Sequence, residues 1–137
     1  MKWDEQAERL LRKASGDEAA MLALLEVPSV PDEVVGFHAQ QAIEKLLKAL
    51  LSHLRVTFRK THDLTELLDL LGTSGIEVPP DIAQARQLGP YAAEFRYEDI
   101  SLDTPESFDR HWAAEWVWRS VGRSLRLHRF LRVSRWV

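Results

Sequence analysis

His38, Gln41, Lys45 and Lys48 recur at helical spacing in one stretch of this chain. At about 100° per residue they fall within a narrow stripe on one side of a single helix. Imidazole, carboxamide and ammonium groups gathered in this way are suited to holding an anion such as a phosphate. Gln40 and Glu44 border the stripe, and Glu44 stands four residues before Lys48, the favourable order for a helical ion pair. Lys60 and His62 follow shortly after and can bring a second imidazole and ammonium near the end of that helix. The plainer reading of the same spacing is a solvated helix side with one intrahelical pair. Against it stand the two glutamines, since amides add little to solubility and, where buried, serve to satisfy other polar groups.

Punctuation along the chain predicts the elements that must position these residues. A first helix is expected from about Asp4 to Leu25, with Gly16 weakening its middle. Pro28 and Pro31 bracket a turn, and Asp32 opens a second helix that runs to about Leu54. Its core face should comprise Val35, Ala39, Ala42, Ile43, Leu46, Ala49 and Leu50. Thr61-His62-Asp63 opens a short third helix with Asp63 and Glu66 in a capping arrangement, stopping at Gly72. A fourth helix is expected from Pro79-Pro80-Asp81 to Tyr97, bent at Gly89-Pro90, and a last one from Thr104-Pro105 to Leu131. No segment alternates with a period of two. Long helices joined by short loops predict an all-α, antiparallel up-and-down four-helix bundle with an extra short helix.

Composition narrows the classes of function. With 137 residues the chain suits one domain, residues 1–137, and 45% hydrophobic content suits a packed core. No apolar run approaches the roughly 20 residues that cross a bilayer, and the charged start lacks the apolar block of a secretory signal, so a cytoplasmic location with no membrane partner is expected. The absence of cysteine excludes disulfides and thiolate chemistry. A net charge of −3 argues against a general nucleic-acid binder, although Arg119, Arg123, Arg126, Arg129, Arg132 and Arg135 follow the last acid, Glu115. His38, His53, His62 and His111 lack metal-ligand spacing, and no glycine-rich phosphate loop is present, so neither a metal nor a cofactor is expected.

Several of these stretches resemble the motifs of the HEPN family of small helical domains. Gln41-Ala-x-Glu44-Lys45-x-x-Lys48 looks like its most recognisable motif, and Lys60-x-His62-Asp63-Leu64 like the element that follows it. Leu11-Arg-Lys-Ala14-x-x-Asp17 is similar to an earlier family run, and Arg96-Tyr97 to the pair closing its fourth segment. Glu98 stands where the family often has proline, and Asp17 follows Ser-Gly rather than acidic residues. The resemblance implies a helical bundle and a ligand surface made by His38, Gln41, Lys45, Lys48, Lys60, His62 and Arg96. It also implies a nucleotide- or RNA-associated module that acts with a small nucleotidyltransferase, as in a toxin–antitoxin pair.

Many members of the family resemble metal-independent ribonucleases with an arginine and a histidine separated by four to six residues, a spacing shared by Arg123 and His128. In such a dyad imidazole would move the 2′-hydroxyl proton and guanidinium would steady the phosphate. On a straight helix residues five apart point about 140° from each other, so the isolated chain is expected to be inactive. An interaction scaffold without ligand is a third class. The last helix carries Trp112 and Trp116 on one side and Trp118 on another, and a helix apolar on two sides calls for two partners; a homodimer supplies the second.

Overall fold

The computed structural model describes residues 2–75, 86–88 and 109–120. Among these there are four helices and no strand: α1 (Lys2–Leu24), α2 (Asp32–His53), α3 (Leu64–Thr73) and α4, residues 110–120, with a 3₁₀ turn at 86–88. The fourth helix expected over 81–97 lies, apart from that turn, outside the described residues, as does everything beyond 120.

α1 buries Ala7, Leu11, Ala14 and Met21, one stripe at helical spacing, and Asp4 and Glu5 place negative charge in its first turn, where the helix dipole favours it. Gly16 does not break it: a Cβ there would meet nothing within 4 Å, so the position is open and costs only the backbone entropy of glycine. Residues 25–31 reverse the chain through Val27 N–H to Leu24 C=O and Val30 N–H to Val27 C=O bonds, both 3.1 Å. α2 then returns alongside α1 as an antiparallel hairpin.

α2 is the central element. Beyond the expected apolar face it also buries Gln40, Glu44, Leu47, Leu51 and Ser52, while Leu50 is only half-buried. The reason is that α2 is covered by α1 and again by α3, so the wheel has two buried sectors instead of one. α3 buries Leu64, Leu67, Leu68 and Leu71, a complete i, i+3, i+4, i+7 stripe. Each such leucine contributes about 1.5–3 kcal/mol on burial. Leu88 and, from α4, Ala113, Ala114, Trp116 and Val117 join the same core.

The helix ends show where local chemistry decided the boundaries. Asp63 caps α3 by accepting from Thr65 N–H (2.9 Å) and Glu66 N–H (3.3 Å). Only half of the expected capping box forms: Asp63 N–H donates to Thr61 Oγ1 instead, and Glu66 accepts from Arg59 Nε at 2.6 Å. That bond to Arg59 holds the Glu66 carboxyl below its ordinary range. α3 runs one residue past Gly72, and Gly75 supplies the positive φ of +84° that turns the chain away. α4 is described from residue 110, and the expected start at Thr104-Pro105 lies outside the described residues; Asp109 caps it by accepting from the N–H groups of His111 and Trp112.

Arg110 ties α4 to the α1–α2 turn. Its guanidinium donates to the carbonyls of Leu25 (3.3 Å) and Val30 (2.6 Å) and pairs with Asp32. These are carbonyls that the end of α1 and the turn would otherwise leave without a donor.

α2 ends in a Schellman turn: Val56 N–H bonds Leu51 C=O at 2.9 Å and Arg55 N–H bonds Ser52 C=O at 3.0 Å. Arg55 occupies the position that favours glycine, with φ of +62°. Replacing it should relieve the left-handed strain: Arg55→Gly is expected to stabilise the protein by about 0.5–1 kcal/mol, read as a higher urea midpoint at unchanged m-value. A lower midpoint would show that the Arg55 side chain contributes more than its backbone costs.

Candidate functional site

The predicted stripe is present on α2, but its cations are not free. Asp17 of α1 reaches across the helix pair and takes both His38 Nδ1 (3.2 Å) and Lys45 Nζ. One carboxylate thereby joins two side chains that stand two helical turns apart. The run ending in Asp17 was visible in the sequence as a motif, yet nothing in its own helix shows that its partners lie on α2.

Glu44 forms the second centre. It is 3% exposed, and its two oxygens divide the work around it. Oε1 accepts from His62 Nδ1 at 2.8 Å and from Gln40 Nε2 at 3.2 Å, while Oε2 pairs with Lys48 Nζ at 3.2 Å. A buried carboxylate is tolerable only with such neutralisation and hydrogen bonding. Lys48 is oriented further by the Phe58 ring, whose centroid lies 6.0 Å from Nζ, within cation–π range. The Glu44–Lys48 pair expected from spacing thus exists, but as a buried pair inside a larger network and not as a solvated one.

Gln40 is fully buried and locks the loop to the helix. Its Nε2 donates to Glu44 and to the backbone carbonyl of His62 (3.2 Å), and its Oε1 accepts from Gln41 Nε2 at 2.7 Å. The segment before α3 is therefore held at both its backbone and its His62 side chain. Thr61, buried beside it, supports the turn into the Asp63 cap.

Because a carboxylate only accepts, the Nδ1 atoms of His38 and His62 carry protons, which leaves Nε2 as the second nitrogen of each ring. Neither Nε2 has a partner among the described residues, and the His62 side chain is 40% exposed. Asp17 and Glu44 offset the charges of Lys45 and Lys48. Lys60 is exposed, with no partner among the described residues. No group of three or more histidine, aspartate or glutamate side chains fit to hold a metal ion occurs among the described residues.

A HEPN domain model matches residues 7–117 of the sequence. The chain belongs to the HEPN family. The matched span contains the whole network, from Asp17 through Gln40, Glu44 and His62 to α4. No curated protein and no solved structure shows significant similarity to the chain. Among the described residues no helix is long and apolar enough to cross a membrane.

Of the residues singled out in the sequence, His38 and Lys45 share the Asp17 carboxylate, Gln41, Lys48 and His62 belong to the Glu44 set, and Lys60 stands two residues from His62. Arg96, Arg123 and His128 lie outside the described residues. Three contributors went unassigned: Asp17, Gln40 as the lock on the loop, and Arg110 as the tie to the turn. His111 pairs instead with Glu26 at 2.9 Å on the surface.

The network makes a stability prediction. Glu44→Ala leaves Lys48, His62 and the Gln40 amide without their common acceptor and should cost about 3 kcal/mol, whereas Arg119→Ala, which breaks an exposed pair with Glu115, should cost about 0.5 kcal/mol or less. Urea unfolding of both variants checks this; equal small losses would place Glu44 among ordinary surface acids.

Proposed function

We propose that this HEPN protein is a nucleotide- or RNA-associated binding module whose ligand surface is the strip of α2 carrying His38, Gln41, Lys45 and Lys48, completed by Lys60 and His62. The observation that carries the reading is the way two inner carboxylates, Asp17 and Glu44, fix two ammonium and two imidazole groups along one strip. Each ammonium is held through one hydrogen and keeps other donor positions for an incoming phosphate. Preorganised donors of this kind lose little on binding, because their conformations are already set. Lys60 adds the charge that the inner acids do not offset.

The module acts without chemistry of its own, as the companion of a small nucleotidyltransferase, in the manner of a toxin–antitoxin component. The motif resemblance of Gln41 to Lys48 and Lys60 to Leu64 is what suggests that partnership. A neighbouring reading frame with a Gly-Ser and paired-aspartate nucleotidyltransferase motif is the partner it calls for. We further propose a homodimer, supported by Trp118, which is 55% exposed, and Trp112, which is 36% exposed and stacked on buried Trp116 at 6.0 Å.

Calorimetric titration with mono- and dinucleotides should show binding that Lys60→Ala weakens several-fold without loss of stability. Lys45→Ala and Lys48→Ala should each weaken it by about tenfold, the size of a charge-assisted hydrogen bond. Unchanged binding by folded variants would make the strip a solvated surface. Light scattering on the same samples is expected to give twice the chain mass, and a monomer at micromolar concentration would remove the homodimer.

A further inference from the structure

The hydrogen bonds that begin at Glu44 run outward through two amides in a direction that cannot be reversed. Glu44 Oε1 and the His62 carbonyl are both acceptors, so the side of Gln40 that faces them must be its amino group. Its oxygen then faces Gln41 and accepts from Gln41 Nε2. Orientation of a carboxamide is normally free to flip, but here two acceptors settle the first amide and the first amide settles the second. What emerges at the half-buried surface is a Gln41 side chain with one N–H committed inward. Its second N–H and its Oε1 have no partner among the described residues.

A donor beside an acceptor, in one plane and with fixed polarity, is the pattern that pairs with the edge of a nucleobase. Adenine offers the matching pattern twice, its amino group standing beside a ring nitrogen on either side. The surroundings suit the same ligand. Lys45 and Lys48 stand one and two turns beyond Gln41 and can meet a phosphate. Phe37 and His38, one turn before it, pack edge to face with ring centroids 5.3 Å apart and add aromatic surface. We infer that Gln41 is a base-reading residue, pairing through its free N–H and Oε1 with the edge of a nucleobase, adenine above all, while the lysines hold the phosphate. This rests on the nucleotide-binding reading of the strip and adds to it the part of the ligand that is not phosphate.

Three probes separate the two levels: adenosine 5′-monophosphate, ribose 5-phosphate and inorganic phosphate, each titrated calorimetrically into the intact protein and into Gln41→Met and Gln41→Ala. Gln41 donates to Gln40 from the outer end of the relay, so these variants leave both bonds of Gln40 Nε2 in place; thermal melting confirms their fold. The wild type should prefer adenosine monophosphate over ribose 5-phosphate by about tenfold, the scale of a bidentate amide–base contact, and both variants should bring that ratio close to one while keeping their affinity for ribose 5-phosphate. A ratio near one in the wild type, or one that survives in both variants, overturns the assignment of Gln41 and leaves phosphate binding intact. Failure of all three probes to bind would bring down the nucleotide-binding strip itself and the base reader with it.

Discussion

An isolated carboxylate taken out of water costs several kcal/mol, and the Glu44 side chain is almost wholly enclosed. Three side chains are arranged around it as a consequence. Lys48 supplies opposite charge from the same helix, His62 supplies an N–H from the segment before α3, and Gln40 supplies an amide N–H while gripping that segment's backbone. The position of α3 against α2 therefore depends on more than its leucine stripe. Its entry point is fixed by a charge that has few other ways to be satisfied.

The same logic joins α1 to α2 through Asp17, which takes His38 and Lys45 together. Glu18, the next residue, shows the contrast. It lies on the buried side of α1 with Oε2 lacking a hydrogen-bond partner, and burial pushes its carboxyl above the usual range. A raised folded-state value means that ionised Glu18 weakens the fold at neutral pH, and that this penalty is relieved as pH falls below the folded value. Asp17 and Glu44, which draw side chains from other elements, have both oxygens partnered, whereas Glu18 does not.

The sequence made the helices legible because their apolar spacing, prolines and capping residues agree, and α1, α2 and α3 lie within a few residues of their expected limits. It missed half of the capping box at α3 because competing hydrogen bonds won there, Thr61 taking the Asp63 amide and Arg59 taking Glu66. It listed the polar residues of α2 correctly but could not rank them. A helical wheel places Gln40 and Glu44 at the border of the stripe; only the packing of a second element against that border reveals them as buried. Pairing across elements is likewise invisible to periodicity: Asp17 with Lys45, and Arg110 with the α1–α2 turn, are separated by long stretches of chain. The family resemblance marked Asp17 and Lys45 without saying what they touch, and did not mark Arg110.

Glu44 fastens the segment before α3, and through it α3, onto α2. Native-state amide hydrogen exchange on the wild type and on Glu44→Ala tests it most directly, because protection is read residue by residue. In Glu44→Ala the amides of His62 to Leu71 should lose protection selectively, while those in the α1–α2 hairpin, such as Ala14 and Ala42, change far less. Equal loss along the whole chain, or unaltered protection in α3, would contradict it.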